Sequence, residues 1–486
     1  MKPSRDFNPK ELALFRQIDA FANLAKVRPY LVGGTLRDLY LKRRKKNPDF
    51  DFALEKGGIK FAKNLSRKIK AGFVVLDEEH GASRLVMKSG DIFYTLDFTD
   101  FRGKDLEEDL LHRDFSINSL ALELEKAVSA SDCRDFIIDP YGGRKDLKDN
   151  LIKAVNRDAF SEDPLRILRA FGFSSLFNFK IEKKTLQLAI AERKKLSSIS
   201  GERIRDELFR IFSSPHSFEA INSLDKSKIL ELIIPEIKKM RGVWGGPYHH
   251  LDLWKHTLES LKQLEGLFLE LKNREGLNAY LDEYISAQRS RRQLLKLAML
   301  LHDIGKPKAL RREGRKIKFH GHERIGMELS ENISERLKLS NEEARTLKAM
   351  VLWHLRPGYL ADSPKPTSRA VFRYFRDAGT EAASILLLSV ADQRATKGRL
   401  STKEAGLQHE RICFSLVKEY FRKAGAKKRE RLITGDDLIR SFKLEPSPLI
   451  GKILRELEEL QGIKKISTKR EALAEASRII KWQRNS

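Results

Sequence analysis

The sequence predicts an α+β protein: an N-terminal part built on a mixed β-sheet, followed by a mostly α-helical body. Three observations carry this. Strand-like runs crowd into the first hundred residues. Beyond them, apolar residues recur mainly at helical spacing. And the chain has 486 residues, too many for one core, so two to four domains are expected. The expected segments are 1–150, 151–240, 241–400 and 401–486.

Residues 1–28 read as an amphipathic helix, with Leu12, Leu14, Phe15, Ile18, Phe21 and Leu24 at helical spacing. A short strand, Tyr30-Leu31-Val32, runs into Gly33-Gly34. A helix start follows, where Thr35 and Asp38 stand at the spacing of a capping box. After a basic loop comes Asp49-Phe50-Asp51-Phe52. In a strand, residues i and i+2 share a face, so Asp49 and Asp51 set two carboxylates side by side while Phe50 and Phe52 anchor the other face. A helix is expected over 58–71 and strands over 73–76, 84–87 and 91–100. In the last, Phe93, Thr95, Asp97 and Thr99 alternate with Ile92, Tyr94, Leu96 and Phe98. Asp97 is therefore a candidate third acid, although an Asp between threonines is also ordinary polar sheet surface.

Aligned carboxylates repel unless a cation lies between them, and hard oxygen donors suit Mg²⁺. Two glycines before a helix start let backbone N–H groups approach a phosphate. Strand, Gly-Gly, helix and Asp-x-Asp together point to metal-assisted phosphoryl or nucleotidyl transfer.

Composition narrows the partner. Lys and Arg number 94 against 68 Asp and Glu, a net charge of +26, which favours a polyanion and first of all nucleic acid. Two distant cysteines, Cys133 and Cys413, suggest a reducing compartment. The N-terminus has no apolar signal core, and apolar runs such as 384–391 are too short to span a bilayer. The expectation is a cytoplasmic protein with no membrane partner, as a monomer or homodimer.

The GGTLRD…DFD pattern resembles the nucleotidyltransferase superfamily, in the branch of bacterial poly(A) polymerases and class II tRNA nucleotidyltransferases that build or repair the CCA end of tRNA. Further motifs extend the resemblance. Residues 109–118, DLLHRDFSIN, are similar to the family's RRDFTxNA motif, with His112 for the usual first Arg and Ser119 for Ala. The resemblance implies Asp49, Asp51 and Asp97 as catalytic acids using Mg²⁺. It implies Gly33, Gly34, Arg37, Arg113, Asp114 and Asn118 around the ribose and triphosphate. Residues 161–170, SEDPLRILRA, resemble the family's EDxxRxLRA motif. Ser161 is a possible N-cap, Pro164 sits in the first turn, and Asp163 and Arg166, three apart, would share a helix face. In the family such a pair reads the base edge of CTP or ATP; Arg169 belongs to the same nucleotide-binding group. Residues 139–147 match as a turn, and the 201–208 helix start as a structural brace.

From about residue 245 histidines accumulate. Residues 294–306, LLKLAMLLHDIGK, resemble the HD phosphohydrolase superfamily, whose ligand set is an early His, a His-Asp pair and a late Asp. His256, His302, Asp303 and Asp392 fit that order. Imidazole with carboxylate suits a divalent transition metal. His322 and His354 are candidate further ligands or phosphate contacts, and Lys306 a phosphate holder. If active, this site would act on RNA ends as a phosphodiesterase or phosphatase.

The tail is basic, and Lys427, Lys428, Arg429 and Arg431 could track RNA phosphates. The reading is a tRNA nucleotidyltransferase adding nucleotides from CTP and ATP to a tRNA 3′ end. Its alternatives are a CC-only enzyme, suggested by the short segment between residue 100 and the 109–118 motif, a poly(A) polymerase, and from another class an HD-type phosphohydrolase.

Overall fold

The computed structural model describes residues 6–286, 289–314, 316–424 and 430–484, and the chain divides into two compact units, 1–233 and 234–486. The first is mixed α/β and the second almost wholly helical, the α+β arrangement expected.

In the first unit α1 (Pro9–Ala25) starts at Asn8, whose side chain caps Lys10 and Glu11 N–H while Glu11 answers Asn8 N–H. There follow β1 (Tyr30–Val32), α2 (Gly34–Tyr40), β2 (Asp49–Leu54), α3 (Gly58–Ile69), β3 (Gly72–Asp77), β4 (Ala82–Ser89), β5 (Ile92–Asp100), α4 (Leu106–Leu111) and β6 (Ala121–Glu123). The six strands form one sheet in the order β3-β4-β5-β2-β1-β6. Only β2 and β5 run parallel; their other neighbours are antiparallel.

One face of this sheet is closed by aromatic packing. Phe52 stacks on Phe98 at 4.9 Å between ring centres, Phe15 of α1 meets Phe50 at 4.8 Å, and Phe61 of α3 meets Phe98 at 5.4 Å. Phe15, Phe52 and Phe98 are completely buried. At about 1.5–3 kcal/mol per buried side chain, these rings fix which face of β2 looks inward. The carboxylates must then look outward, because side chains alternate along a strand.

Two local expectations are corrected. Thr35 and Asp38 form no capping box: the chain turns at Gly33, with φ of +74°, and the helix begins at Gly34. Thr35 Oγ donates instead to the Asp49 carbonyl at 3.1 Å, and Asp38 accepts from Arg37. Ser161 caps no long helix either. It lies in a one-turn helix, Ala159–Glu162, and extended backbone at Asp163 (φ −142°, ψ 100°) separates that turn from the helix Leu165–Phe177. Asp163 and Arg166 are therefore not paired on one helix face.

In the second unit the apolar run 384–391 is the buried middle of a core helix, Ala382–Ala395, packed against Leu253–Glu270 and Lys403–Ala424. Helices Gly435–Phe442, Pro448–Gly462 and Lys469–Arg484 close around their own apolar cluster, including Leu438, Ile453, Leu457 and Ala476. Lys427, Lys428 and Arg429 lie outside the described residues. Arg431 makes a surface ion pair with Glu458 at 3.5 Å. Among the described residues no helix is long and apolar enough to cross a membrane.

Candidate active site and a second metal-ligating cluster

Strand register assembles the first site. Asp51 pairs with Asp97 across β2 and β5, and Asp49 lies one pleat away on the same face. One carboxylate oxygen from each of Asp49, Asp51 and Asp97 lies within 4.8 Å of the others. Burial and the like charge of Asp49 push Asp51 up to about 6; burial also raises Asp49, against the pull of Lys45. Carboxylates strained in this way are the donor set a hard divalent cation relieves. Across β5 the row continues to Arg84 of β4, whose guanidinium holds both oxygens of Asp97, at 2.8 and 2.6 Å.

Beside the acids opens a cavity of about 630 Å³ whose lining carries several arginines. It is bounded by the Gly33-Gly34 turn. A Cβ at Gly33 would stand 3.1 Å from Arg113 Nη1, so a side chain there would push the guanidinium aside, and the φ of +74° itself favours glycine. Arg113 donates to the buried Asp109 at 3.2 Å, while its Nε is buried without a hydrogen-bond partner. A chain of bonds links the other expected residues. Arg37 donates to Asn118 at 2.7 Å, Asn118 to Asp114 at 2.9 Å, and Arg169 to Asp114 at 2.9 and 2.6 Å. Burial alone would raise the Asp114 carboxyl, but Arg169, Asn118 and the Phe115 N–H hold it below its ordinary range. Arg37 is buried under Phe173 and Phe177, so it braces this network more than it reaches outward.

Asp163 and Arg166 both line the cavity but turn to different partners. Arg166 donates to the His112 carbonyl at 2.6 Å and to the Ala159 carbonyl at 3.2 Å, while Asp163 accepts from Arg203 at 3.0 Å. His112 itself lies 3.3 Å from Glu162.

The second unit carries a second cluster. His302 ends the apolar helix Arg291–Leu301, and two ligand triplets meet at the His302-Asp303 step: His256, His302 and Asp392 on one side, Asp303, His322 and His354 on the other. His256 Nε2 lies 2.7 Å from Asp392, and His322 Nε2 lies 3.4 Å from Asp303. The tautomers follow from the backbone. The Nδ1 atoms of His302, His322 and His354 sit 2.6 to 2.8 Å from carbonyl oxygens, which only accept, so each Nδ1 donates. In the neutral rings the Nε2 atoms are then bare lone pairs, and those of His322 and His354 face one another at 3.2 Å. Burial, then the charges of His302 and His322, pushes His354 down to about 3, so the His354 ring stays neutral with its Nε2 lone pair bare. A cation between them resolves the conflict, so the residues fit a metal site. Lys306 approaches Asp303 at 2.7 Å and lines the open cavity beside the cluster.

Comparison with known proteins then decides the family. A relative from Deinococcus radiodurans, an A-adding tRNA nucleotidyltransferase, is 31% identical over 458 residues, which cover 91% of this chain and 94% of the relative. The chain belongs to the tRNA nucleotidyltransferase family. A CC-adding tRNA nucleotidyltransferase from Geobacter sulfurreducens is 28% identical over 91% of this chain and 90% of its own. The poly A polymerase head domain matches residues 29–153, the HD domain 253–395 and tRNA nucleotidyltransferase domain 2 residues 330–476. Among solved structures, the Thermotoga maritima CCA-adding enzyme complexed with tRNA shares the fold, with a TM-score of 0.63 and 22% identity over 98% of this chain and 97% of that one.

For a nucleotidyltransferase of this family, three residues at the site escaped the sequence reading. Arg84 shows only through the β4–β5 register. Asp109 stands in the 109–118 motif but is marked only by its i,i+4 spacing to Arg113, and Arg203 stands in the 201–208 helix start, which reads only as a brace.

Proposed function

We propose that this chain extends the 3′ end of tRNA with nucleotides drawn from CTP and ATP, working in the cytoplasm. The observation that carries the reading is the carboxylate triad placed by strand register at the mouth of an arginine-lined cavity. Asp49, Asp51 and Asp97 would hold Mg²⁺, which when bound supplies positive charge to the reacting phosphate and the attacking hydroxyl. The residues do the rest. Gly33 leaves room for the triphosphate, and Arg113 has a donor to spend on it. The Asn118-Asp114-Arg169 chain presents a rigid wall to the ribose. Asp163 and Arg166, once Arg203 and the backbone release them, offer the acceptor and donor that a cytosine or adenine edge requires. In this reading residues 1–150 form the catalytic head, 151–240 select the base, 241–400 hold the histidine-rich site, and the tail to 486, with Lys427, Lys428, Arg429 and Arg431, follows the tRNA backbone.

A partial programme, CC-only or A-only, is a second reading with its own support. Only residues 101–105 separate β5 from α4, and they are pinned: Arg102 N–H donates to Asp109, Lys104 N–H to Glu108, and Asp105 caps Glu108. Relatives covered along nine-tenths of their length carry A-adding and CC-adding names. The facing His322 and His354 also favour a transition-metal phosphohydrolase activity in the second unit.

The test is single-nucleotide extension with Mg²⁺. tRNA lacking its terminus, tRNA ending in CC and a generic RNA are each offered CTP, ATP or both. Addition that stops after CCA supports the main reading, while stopping at CC or accepting only ATP selects the partial one. Long A-tails on generic RNA, or no extension at all, refute it.

A further inference from the structure

The face of the sheet that carries the acids does not end at Arg84. Following the register outward, the row through Asp51 and Asp97 passes to Arg84 and then to Val74 of β3. The neighbouring row runs from Asp49 through Thr95 to Val86, and the next pairs Phe93 with Lys88. Side chains alternate, so Val74, Val86 and Phe93 share the acids' face. Their exposures are 48%, 41% and 47%, whereas Leu85, Tyr94 and Leu96 on the opposite face are buried. An apolar strip thus lies open to solvent beside the three carboxylates, ending on the edge strand β3.

The strip has a basic border. Lys88 Nζ sits 5.6 Å from the centre of the Phe93 ring. The Phe93 N–H donates to Asn47 at 3.1 Å, which ties the strip to the exposed loop of Lys42, Arg43, Arg44, Lys45 and Lys46. An exposed aromatic with aliphatic neighbours, bordered by Lys88 and Arg84 and joined through Asn47 to a basic loop, is what a single nucleic-acid strand needs: a surface for its bases and cations for its phosphates.

Its position selects which strand. The arginine-lined cavity reaches Asp97 and Thr99 of β5, but Gly33 and Arg113 stand on its β1–β2 side. A displacement at phosphorus brings the attacking oxygen in opposite the leaving group. A triphosphate in that cavity therefore leaves the β5–β4–β3 flank for the hydroxyl and the strand attached to it.

We propose that Phe93, Val86 and Val74 form the platform on which the last bases of the acceptor RNA stack, with Lys88 and the 42–46 loop on its phosphates. The proposal rests on the nucleotidyltransferase reading and names the part of the RNA that this face receives.

The test uses the full chain and tRNA lacking its terminal nucleotide. Phe93→Ala is expected to raise KM for the RNA about tenfold, the effect of losing one stacked base, while KM for the nucleoside triphosphate stays within about twofold. Phe93→Trp restores the RNA KM, which a merely structural role for Phe93 would not predict. A second readout needs no turnover. RNA with 2-aminopurine as its 3′-terminal base is expected to lose fluorescence on binding the parent protein, and not on binding Phe93→Ala. Parental KM and parental quenching in Phe93→Ala overturn the proposal, as does a self-association of the chain that the substitution dissolves while RNA binding is kept. If the parent protein extends no RNA, the functional reading fails, and the quenching measurement still judges the platform.

Discussion

Arg84 and Asp97 face each other across β4 and β5, and the guanidinium grips both carboxylate oxygens, Nε on Oδ1 at 2.8 Å and Nη2 on Oδ2 at 2.6 Å. Arg84 is the third acid's counterion, and its hydrogen bonds to Asp97 raise its own pKa. Such a grip competes directly with a cation for Asp97. Arg84→Met is therefore expected to lower the Mg²⁺ concentration at half-maximal activity at least tenfold: a unit charge several ångströms from a divalent cation is worth several kcal/mol at an effective dielectric near 20, and solvent screening of the half-exposed Arg84 leaves part of that. A Mg²⁺ titration of the variant checks this. An unchanged midpoint would mean that Arg84 moves aside without cost.

Asp51 gives a pH-dependent stability. Its folded-state pKa of about 6 stands above the ordinary carboxylate value, through burial first and Asp49 second. The folded protein thus takes up a proton more readily than the unfolded chain. In chelator, the Asp51 contribution to stability is highest below about pH 4, falls as pH rises to about 6, and stays reduced above it. Asp51→Asn removes the penalty. Allowing for the site's opening to solvent, it is expected to stabilise the metal-free protein by roughly 2 kcal/mol at pH 7–8 and by almost nothing at pH 4. Urea unfolding in chelator at the two pH values measures the difference, while nucleotide transfer is abolished.

What the sequence revealed, and what it hid, divides along physical lines. Asp49 and Asp51 were legible because a two-residue period puts them together inside one strand, and the buried Phe50 and Phe52 confirm the face. The face of Asp97 was legible by alternation, but its partner depended on β5 running parallel beside β2, which no local pattern states. Arg84 was hidden for the same reason. Thr35 and Asp38 misled because Gly33 turns the chain before a cap can form. Asp163 and Arg166 misled because spacing implies a shared face only within one helix, and the backbone at Asp163 is extended. His322 and His354 were visible only as histidines near a His-Asp step; their opposed Nε2 atoms are a tertiary fact.

Those two histidines predict a metal count. His302, His322 and His354 each spend Nδ1 on a carbonyl, so Nε2 is the ligand atom in all three. The protein purified without chelator is expected to carry transition metal in the second unit. His354→Ala is expected to lose it in whole or part by elemental analysis, and to lower the melting temperature measured before chelation towards the chelated value. Nucleotide addition with Mg²⁺ should persist, since the triad belongs to the first unit. Equal metal content in parent and variant would remove His354 from the ligand set.

Gly33 and Gly34 separate space from conformation. At Gly33 the backbone has φ of +74° and ψ of −132°, a region open to few residues but glycine, and a Cβ would stand 3.1 Å from Arg113 Nη1. At Gly34 the backbone is helical, and a Cβ would meet only the Arg37 guanidinium, 3.3 Å away. Gly33→Ala is expected to cost about 1–3 kcal/mol of stability from the backbone alone. It also displaces the Arg113 donor, so KM for the nucleoside triphosphate should rise about tenfold while KM for RNA is unchanged. Gly34→Ala should leave stability within about 1 kcal/mol of the parent, since alanine favours a helix over glycine and offsets the crowding of Arg37. Urea unfolding with steady-state kinetics on both variants separates the two effects. If Gly33→Ala unfolds early but keeps its parental nucleotide KM, the turn is needed only for the fold. The Arg113 contact with the triphosphate is then wrong.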